Sequence, residues 1–226
     1  MAQKKVNAVI HSQEKLAEGI YSMWLDAPEM AEVAVPGQFI AVYTNDPSKL
    51  LPRPISICEA DKENGRLRIV YRIAGAGTKE FSAYKEGDTL DIMGPLGNGF
   101  PLKKKKAFLI GGGIGIPPML ELAKNLDCEK TAVIGYRDKE TFLADELRKY
   151  ADVVIATEDG SVGTKGNVID AIRAEKLTAD IIYACGPTPM LKALKTYAME
   201  NGIECYISLE EKMACGIGAC LGCVCH

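Results

Sequence analysis

The chain has 226 residues, 47% of them hydrophobic and 25% charged, which suits one or two globular domains that each bury a core. A net charge of −3 gives no electrostatic case for binding nucleic acid or an anionic membrane. The opening Met-Ala-Gln-Lys-Lys-Val-Asn lacks the apolar run of a secretion signal, and the longest apolar stretch, 107–120, is too broken by glycine and proline to span a bilayer as a helix.

The first hundred residues read as short β-rich segments at 6–10, 20–25, 38–43, 55–58, 66–73 and 89–93. Turn signals separate them, among them Val35-Pro36-Gly37, Glu63-Asn64-Gly65 and Glu86-Gly87-Asp88. Six such strands predict a small antiparallel barrel, with one short helix over 79–85 after Gly77-Thr78. Lys103 to Lys106 reads as a solvated linker. Beyond it, strands at 107–110, 131–136, 153–156, 181–184 and 203–207 alternate with helices near 117–125, 141–149, 167–174 and 189–200. That alternation predicts a parallel sheet covered on both faces. The expected fold class is therefore β plus α/β: a barrel over 1–101, an α/β domain over 102–208 and a cysteine-rich tail over 209–226.

Three places in the chain have the residue types that grip phosphates. Leu51-Pro52-Arg53-Pro54-Ile55-Ser56 sets a cation and a hydroxyl beside a strand, and Tyr71-Arg72-Ile73-Ala74-Gly75-Ala76-Gly77-Thr78 runs from a strand into a glycine turn and a helix start. Arg53, Arg72 and the N–H groups near Gly77-Thr78 together form a candidate pyrophosphate grip. Singly, each is an ordinary surface arginine or turn. Gly111-Gly112-Gly113-Ile114-Gly115 follows a buried strand and leads into a helix, as a nucleotide loop does, although it lacks the strict G-x-G-x-x-G spacing. Cys185-Gly186-Pro187 lies at the carboxyl end of another parallel strand, where open α/β sheets bind ligands; it also reads simply as a strand-to-helix turn.

Cys215, Cys220 and Cys223 form C-x4-C-x2-C among Gly216, Gly218, Ala219 and Gly222. This spacing is the one plant-type ferredoxins use for a [2Fe–2S] cluster, with small residues that let backbone N–H groups reach the sulfurs. A zinc knuckle would favour separated C-x2-C pairs, and core cysteines do not gather between glycines. The remaining cysteines Cys58, Cys128, Cys185 and Cys205 are dispersed, so metal-bound thiolates in a reducing cytoplasm are expected rather than disulfides. With only His11 and His226 present, no histidine-based catalytic constellation arises.

Taken together these motifs resemble the ferredoxin–NADP reductase superfamily. Arg53-Pro54-Ile55-Ser56 is similar to its first flavin motif, Gly75 to Thr78 to its second, Gly111 to Pro118 to its nicotinamide-nucleotide loop, and Cys185-Gly186-Pro187 to its CGP motif. The order of parts, with Glu210-Glu211-Lys212-Met213-Ala214-Cys215-Gly216 opening the tail, resembles the electron-transfer subunits of NAD-dependent dihydroorotate dehydrogenases of type B over essentially the whole chain. The resemblance implies that Arg53, Pro54, Ile55 and Ser56 line FAD, with Ser56 near the isoalloxazine. It implies that Val70, Tyr71 and Arg72 contact the flavin and its phosphates, and that Gly77 and Thr78 cradle the pyrophosphate. Gly111, Gly112, Gly113 and Gly115 with Cys185, Gly186 and Pro187 would face NAD(H), and Cys215, Cys220 and Cys223 would ligate the cluster. It further implies an FMN-containing catalytic partner that oxidises dihydroorotate in pyrimidine synthesis.

One departure concerns the fourth cluster ligand. The family pattern sets it downstream of a short hairpin, whereas this sequence offers Cys225, which shares a strand face with Cys223 but would strain to serve a second iron. A C-terminally shortened form is the expectation. Two other readings are an NADH-dependent ferredoxin:NADP or sulfide oxidoreductase subunit, and a non-enzymatic zinc module. Arg137 followed by Asp138 after the strand at 131–136 favours NADH over NADPH, since a carboxylate there disfavours a 2′-phosphate.

Overall fold

The computed structural model describes residues 4–209, 213–220 and 222–223. They form two compact units, one made of the N-terminal residues through Gly99 with the described residues of the C-terminal segment, the other running from Phe100.

The first unit is a closed six-stranded barrel of β1 (Lys4–Ala17), β2 (Ile20–Asp26), β3 (Phe39–Val42), β4 (Arg53–Asp61), β5 (Arg66–Arg72) and β6 (Thr89–Leu96), in the order β1-β2-β5-β4-β3-β6. Every described pairing in it is antiparallel. Period-two alternation builds the core, sending Ile55 and Ile57 of β4, Leu67, Ile69 and Tyr71 of β5, and Leu90 and Ile92 of β6 inward. The sequence marks only 6–10 of β1, because polar His11, Ser12 and Gln13 interrupt the apolar pattern just where the strand bends. Residues Lys4 to Val9 pair with β6, and Val9 onward pairs with β2, with an irregularity between Ile10 and Ser12. Helix α1 (Pro28–Val33) escaped the sequence reading. It is a six-residue piece with proline in its first turn, and it drops Met30 and Ala31 into the barrel core. Helix α2 (Ala76–Phe81) starts earlier than expected. The Thr78 hydroxyl accepts the N–H groups of Ala74 at 2.9 Å and Gly75 at 3.2 Å, which turns the chain into helix before that threonine.

The second unit is a six-stranded parallel sheet in the order β10-β9-β8-β7-β11-β12. Its strands are β7 (Ala107–Gly112), β8 (Lys130–Tyr136), β9 (Asp152–Thr157), β10 (Thr164–Lys165), β11 (Ile181–Cys185) and β12 (Glu204–Ser208), and its helices are α3 (Pro117–Asn125), α4 (Ala144–Leu147), α5 (Val168–Ala174) and α6 (Thr188–Asn201). The central strands β7 and β11 are buried along their whole length, as a sheet covered on both faces requires. Phe108, Ile110, Ile182 and Ala184 meet Val168, Ala171, Leu191 and Leu194 on one face. The barrel-plus-α/β expectation is borne out. The helix expected over 141–149 contracts to α4, because Leu143 adopts a left-handed backbone (φ 64°) immediately before it.

The lysine run is fastened to this second unit rather than left as a free linker. Lys103 and Lys105 both pair with Glu204, Lys104 with Asp127 at 2.6 Å and Lys106 with Glu129 at 2.7 Å. The hydroxyl of buried Tyr183 donates to the Pro101 carbonyl at 2.7 Å and accepts the Lys103 N–H at 3.2 Å. Among the described residues, no helix is long and apolar enough to cross a membrane.

Candidate functional site

Alternation along β4 puts Ile55 and Ile57 in the core and leaves Ser56 on the outer face of the barrel. Ile57 faces Ile69 across the β4–β5 pair, so Ser56 and Val70 flank that pair on the outside. At the start of β4 the Arg53 guanidinium donates to the Leu51 carbonyl and lies against Gly77 of α2. A Cβ on Gly77 would stand 2.6 Å from Arg53 Cζ and 2.8 Å from Nη2, so only glycine lets the cation rest on the helix backbone. Arg53, Gly77 and Thr78 are therefore brought together although the sequence separates them by more than twenty positions. Pro54 and Arg72 are exposed. Tyr71 is placed differently. Its ring lies in the core, stacked on Tyr21 at 5.9 Å and edge-on to Phe81 at 6.0 Å, and its hydroxyl donates to Gln13 Oε1 at 2.8 Å. Burial pushes its phenol well above the ordinary tyrosine value. Only its backbone is available to a ligand on the outer face.

The cysteine segment belongs to the same unit. A Cβ on Gly216 would stand 3.3 Å from Leu96 Cδ1 and 3.8 Å from Phe39 Cε2. Phe39 is also the cross-strand partner of Ser56. One aromatic residue thus adjoins both the flavin-type motif and the C-x4-C-x2-C loop. Sequence reasoning missed Phe39, since nothing local marks a strand residue whose neighbours come from β4 and from the far end of the chain.

Gly216 and Gly218 take positive φ (68° and 77°), curling the loop around the Cys215 sulfur, which accepts the Cys220 N–H at 3.4 Å. N–H groups of Cys220 and Ile217 bring its thiol down to about 6, which makes it a thiolate near neutral pH. A thiolate with backbone donors aimed at it fits the chemistry of an iron–sulfur ligand. Among the described residues no three His, Cys, Asp or Glu side chains converge as a metal-ion site. Cys225 lies outside the described residues.

In the second unit, β7 leads to β8, β9 and β10 on one side, and the chain then crosses to lay β11 and β12 on the other. The switch between β7 and β11 is where open α/β sheets open a crevice for ligands. Register sets Gly111 beside Cys185, so both glycine-containing motifs end at this switch. Their glycines have distinct uses. Cβ atoms on Gly112 and Gly186 would meet Met190, so these two let the loops pack against each other, while one on Gly111 would meet the Ile116 backbone at 2.8 Å, so Gly111 lets its own loop fold back tightly. Gly115 lies against the Cys185 carbonyl. Gly113, with φ 53°, has nothing within 4 Å of its Cβ position and is the glycine that faces open space. Pro187, exposed in the second loop, lies against Gly112, 3.0 Å from where its Cβ would stand. Arg137 and Asp138 follow β8 in the adjacent loop, both exposed.

The barrel with its arginine grip and the parallel sheet with its glycine-lined switch define a flavin- and nucleotide-type reductase. Residues 7–100 match the family model for the oxidoreductase FAD-binding domain. The chain is 33% identical to a chain in the solved structure of the NADH-dependent reduced ferredoxin-NADP oxidoreductase, with a TM-score of 0.88 over 96% of this chain and 80% of that one. It is 44% identical to the electron transfer subunit of dihydroorotate dehydrogenase B (NAD+) from Geobacillus sp. (strain WCH70), over 100% of this chain and 90% of the relative. It is 42% identical to the corresponding subunit of Bacillus velezensis, over 99% and 90%. The chain belongs to this family of dihydroorotate dehydrogenase B electron transfer subunits.

Proposed function

We propose that the chain passes electrons between a dihydroorotate-oxidising, FMN-containing partner subunit and NAD+, in pyrimidine synthesis in the cytoplasm. FAD, NAD(H) and a [2Fe–2S] cluster are its cofactors in this reading. A flavin supplies the exchange between a carrier of hydride and a carrier of single electrons. The chain's own residues bind and position. Arg53 and the Gly77-Thr78 turn hold a pyrophosphate by charge and backbone N–H groups, while Ser56 and Val70 offer an outer face for a flat ring. Gly111, Gly112, Gly113 and Gly115 with Cys185, Gly186 and Pro187 form the nicotinamide-nucleotide side, where Gly113 leaves the backbone open to a ligand. Cys215, Cys220 and Cys223 supply thiolates for the cluster, and no general base is needed.

The observation that carries this reading is the position of Phe39, which adjoins Ser56 through β-pairing and Gly216 through packing. It sets Ser56 and the C-x4-C-x2-C loop next to the same residue of the barrel, which supports a ring-binding face close to the cluster thiolates. The oxidoreductase alternative shares the fold, but its solved relative is 33% identical against 44% for the dihydroorotate dehydrogenase subunit, which places it second.

Visible spectra of the purified chain under anaerobic conditions, before and after NADH, test the proposal. Flavin bands that bleach with NADH, over a broad reddish-brown background, are expected. A colourless zinc-containing protein would overturn it. Asp138 in the loop after β8 favours a ribose hydroxyl over a phosphate, so NADH should bleach the flavin at lower concentration than NADPH.

A further inference from the structure

The loop between β3 and β4, residues 43–52, carries two large apolar side chains into solvent: Leu50 is 83% exposed and Leu51 56%. Such a loop would ordinarily be loose, yet this one is tied to β6, where the Tyr43 N–H donates to the Asp91 carbonyl at 2.9 Å and the Asn45 amide to the Thr89 carbonyl at 3.4 Å, and to α2 through a carboxylate. Glu80, on α2 one turn after Gly77, receives the Lys49 ammonium at 2.6 Å and the Asn45 backbone N–H at 2.8 Å. It also receives the Tyr84 hydroxyl at 2.7 Å. Lys49 is held a second time by Asp46 at 3.1 Å, and the Thr44 hydroxyl ties the loop internally to the carbonyls of Asp46 and Lys49. At its far end the loop is fixed again, because the Arg53 guanidinium spans the Leu51 carbonyl and Gly77. Loop and α2 are thus joined at two points, with Leu50 and Leu51 presented between them.

We propose that Leu50 and Leu51 cover the adenosine half of FAD, and that Lys49 and Glu80 are positioning residues that hold them there. The proposal rests on the FAD reading of Arg53 and Gly77-Thr78. The occupant follows from chain geometry. Arg53 marks the pyrophosphate, and Leu51 is two residues away with its carbonyl bound by that same guanidinium. What adjoins a dinucleotide's pyrophosphate, away from the flavin, is a flat, largely apolar nucleoside. Two exposed leucines held rigidly at that distance cost little further ordering when they close on it. Asp46 lies beside Lys49 and draws its charge inward, so the ammonium serves the latch and not a phosphate. The loop would select FAD over FMN, which has the flavin but no adenosine.

The test uses the deflavinated chain, titrated with FAD and with FMN by flavin fluorescence, with ADP as a competitor that carries the adenosine and the pyrophosphate but no flavin. Leu50→Ser/Leu51→Ser and Lys49→Met are the main variants, both on an exposed loop remote from the core. Both should weaken FAD about tenfold, the scale of one lost apolar or charge-assisted contact, and weaken ADP competition by the same factor, with FMN affinity unchanged. Glu80→Gln should match Lys49→Met, and the double variant should be no worse than either, because both break one latch. FAD affinity unchanged in both main variants would overturn the proposal and leave Leu50-Leu51 as a contact for the partner subunit. An equal loss for FAD and FMN would also overturn it, since the loop would then act on the shared flavin or phosphate. Wild-type protein that binds neither flavin would instead sink the FAD reading.

Discussion

The carbonyl oxygen of Cys185 occupies the place where a Cβ on Gly115 would have to stand. The same Cβ would lie 2.6 Å from the Gly186 nitrogen, so the obstacle is backbone and cannot swing aside. Gly115→Ala must therefore separate the loops after β7 and β11, at an overpacking cost of about 1–3 kcal/mol. Gly113→Ala meets no atom and bears only the left-handed strain, about 1–2 kcal/mol. Thermal melting should show the larger loss at Gly115, and stopped-flow flavin reduction should show a raised NADH requirement there. Equal melting temperatures for Gly115→Ala and wild type would contradict the interlocked arrangement.

On the proposed FAD grip, Arg53→Ala would remove one charge-assisted contact to a phosphate, worth roughly 1.5–3 kcal/mol, and should weaken FAD by about tenfold to a hundredfold. Gly77→Ala should resemble it, because the added methyl displaces the guanidinium. Ser56→Ala should keep FAD but slow its reduction. Full flavin occupancy with undiminished affinity in Arg53→Ala would remove Arg53 from the site.

Glu204 gives the second unit an acid-sensitive tie. Lys103, Tyr206 and Lys105 hold its carboxyl down to about 2 from an ordinary 4.5. A depressed carboxylate stabilises the fold above its unfolded value and loses that effect as protons bind. The contribution is thus complete above about 4.5 and fades as pH falls toward about 2. Glu204→Gln should flatten this part of the stability profile and leave the neutral region nearly unchanged, as read by denaturant melts from neutral to acid pH. An acid limb of unaltered steepness would mean the tie contributes nothing in solution.

Cys215→Ser, Cys220→Ser and Cys223→Ser should each abolish bound iron and acid-labile sulfide while FAD remains. These variants should keep NADH-to-dye activity, which needs only the flavin, and lose transfer to the partner. Cys128→Ser should do neither. Cys225→Ser identifies or eliminates the fourth ligand by the same two assays. Iron retained in Cys215→Ser would detach the C-x4-C-x2-C loop from metal binding.

Much of this molecule can be read from local pattern. Period-two segments through Leu67, Ile69 and Tyr71 announce the barrel, and strand–helix alternation from Ala107 onward announces the parallel sheet. Pro117 and Asn125 bound α3 as expected, because a proline start is a local signal. The same alternation, carried one residue further, already places Tyr71 on the inner face with Leu67 and Ile69, so its core position had a signal in the sequence. Other features had none. Glu80 meets Asn45 and Lys49 across more than thirty residues, and Gly216 meets Phe39 across most of the chain. Such contacts are set by which strands neighbour one another in the closed barrel, and hydropathy does not encode that order.

The lysine run has a consequence for how this protein behaves in a crowd. An open parallel sheet ends in two rims of unpaired backbone groups, each able to recruit a strand from another molecule. On one rim β10 is only two residues long, too short to template much. The other rim is β12, and Glu204 at its start gathers Lys103 and Lys105 beside Tyr206. An incoming strand would have to strip water from those ammonium groups before it could pair. The run that fastens the N-terminal end of this unit therefore also sets paired charges at the start of its edge strand.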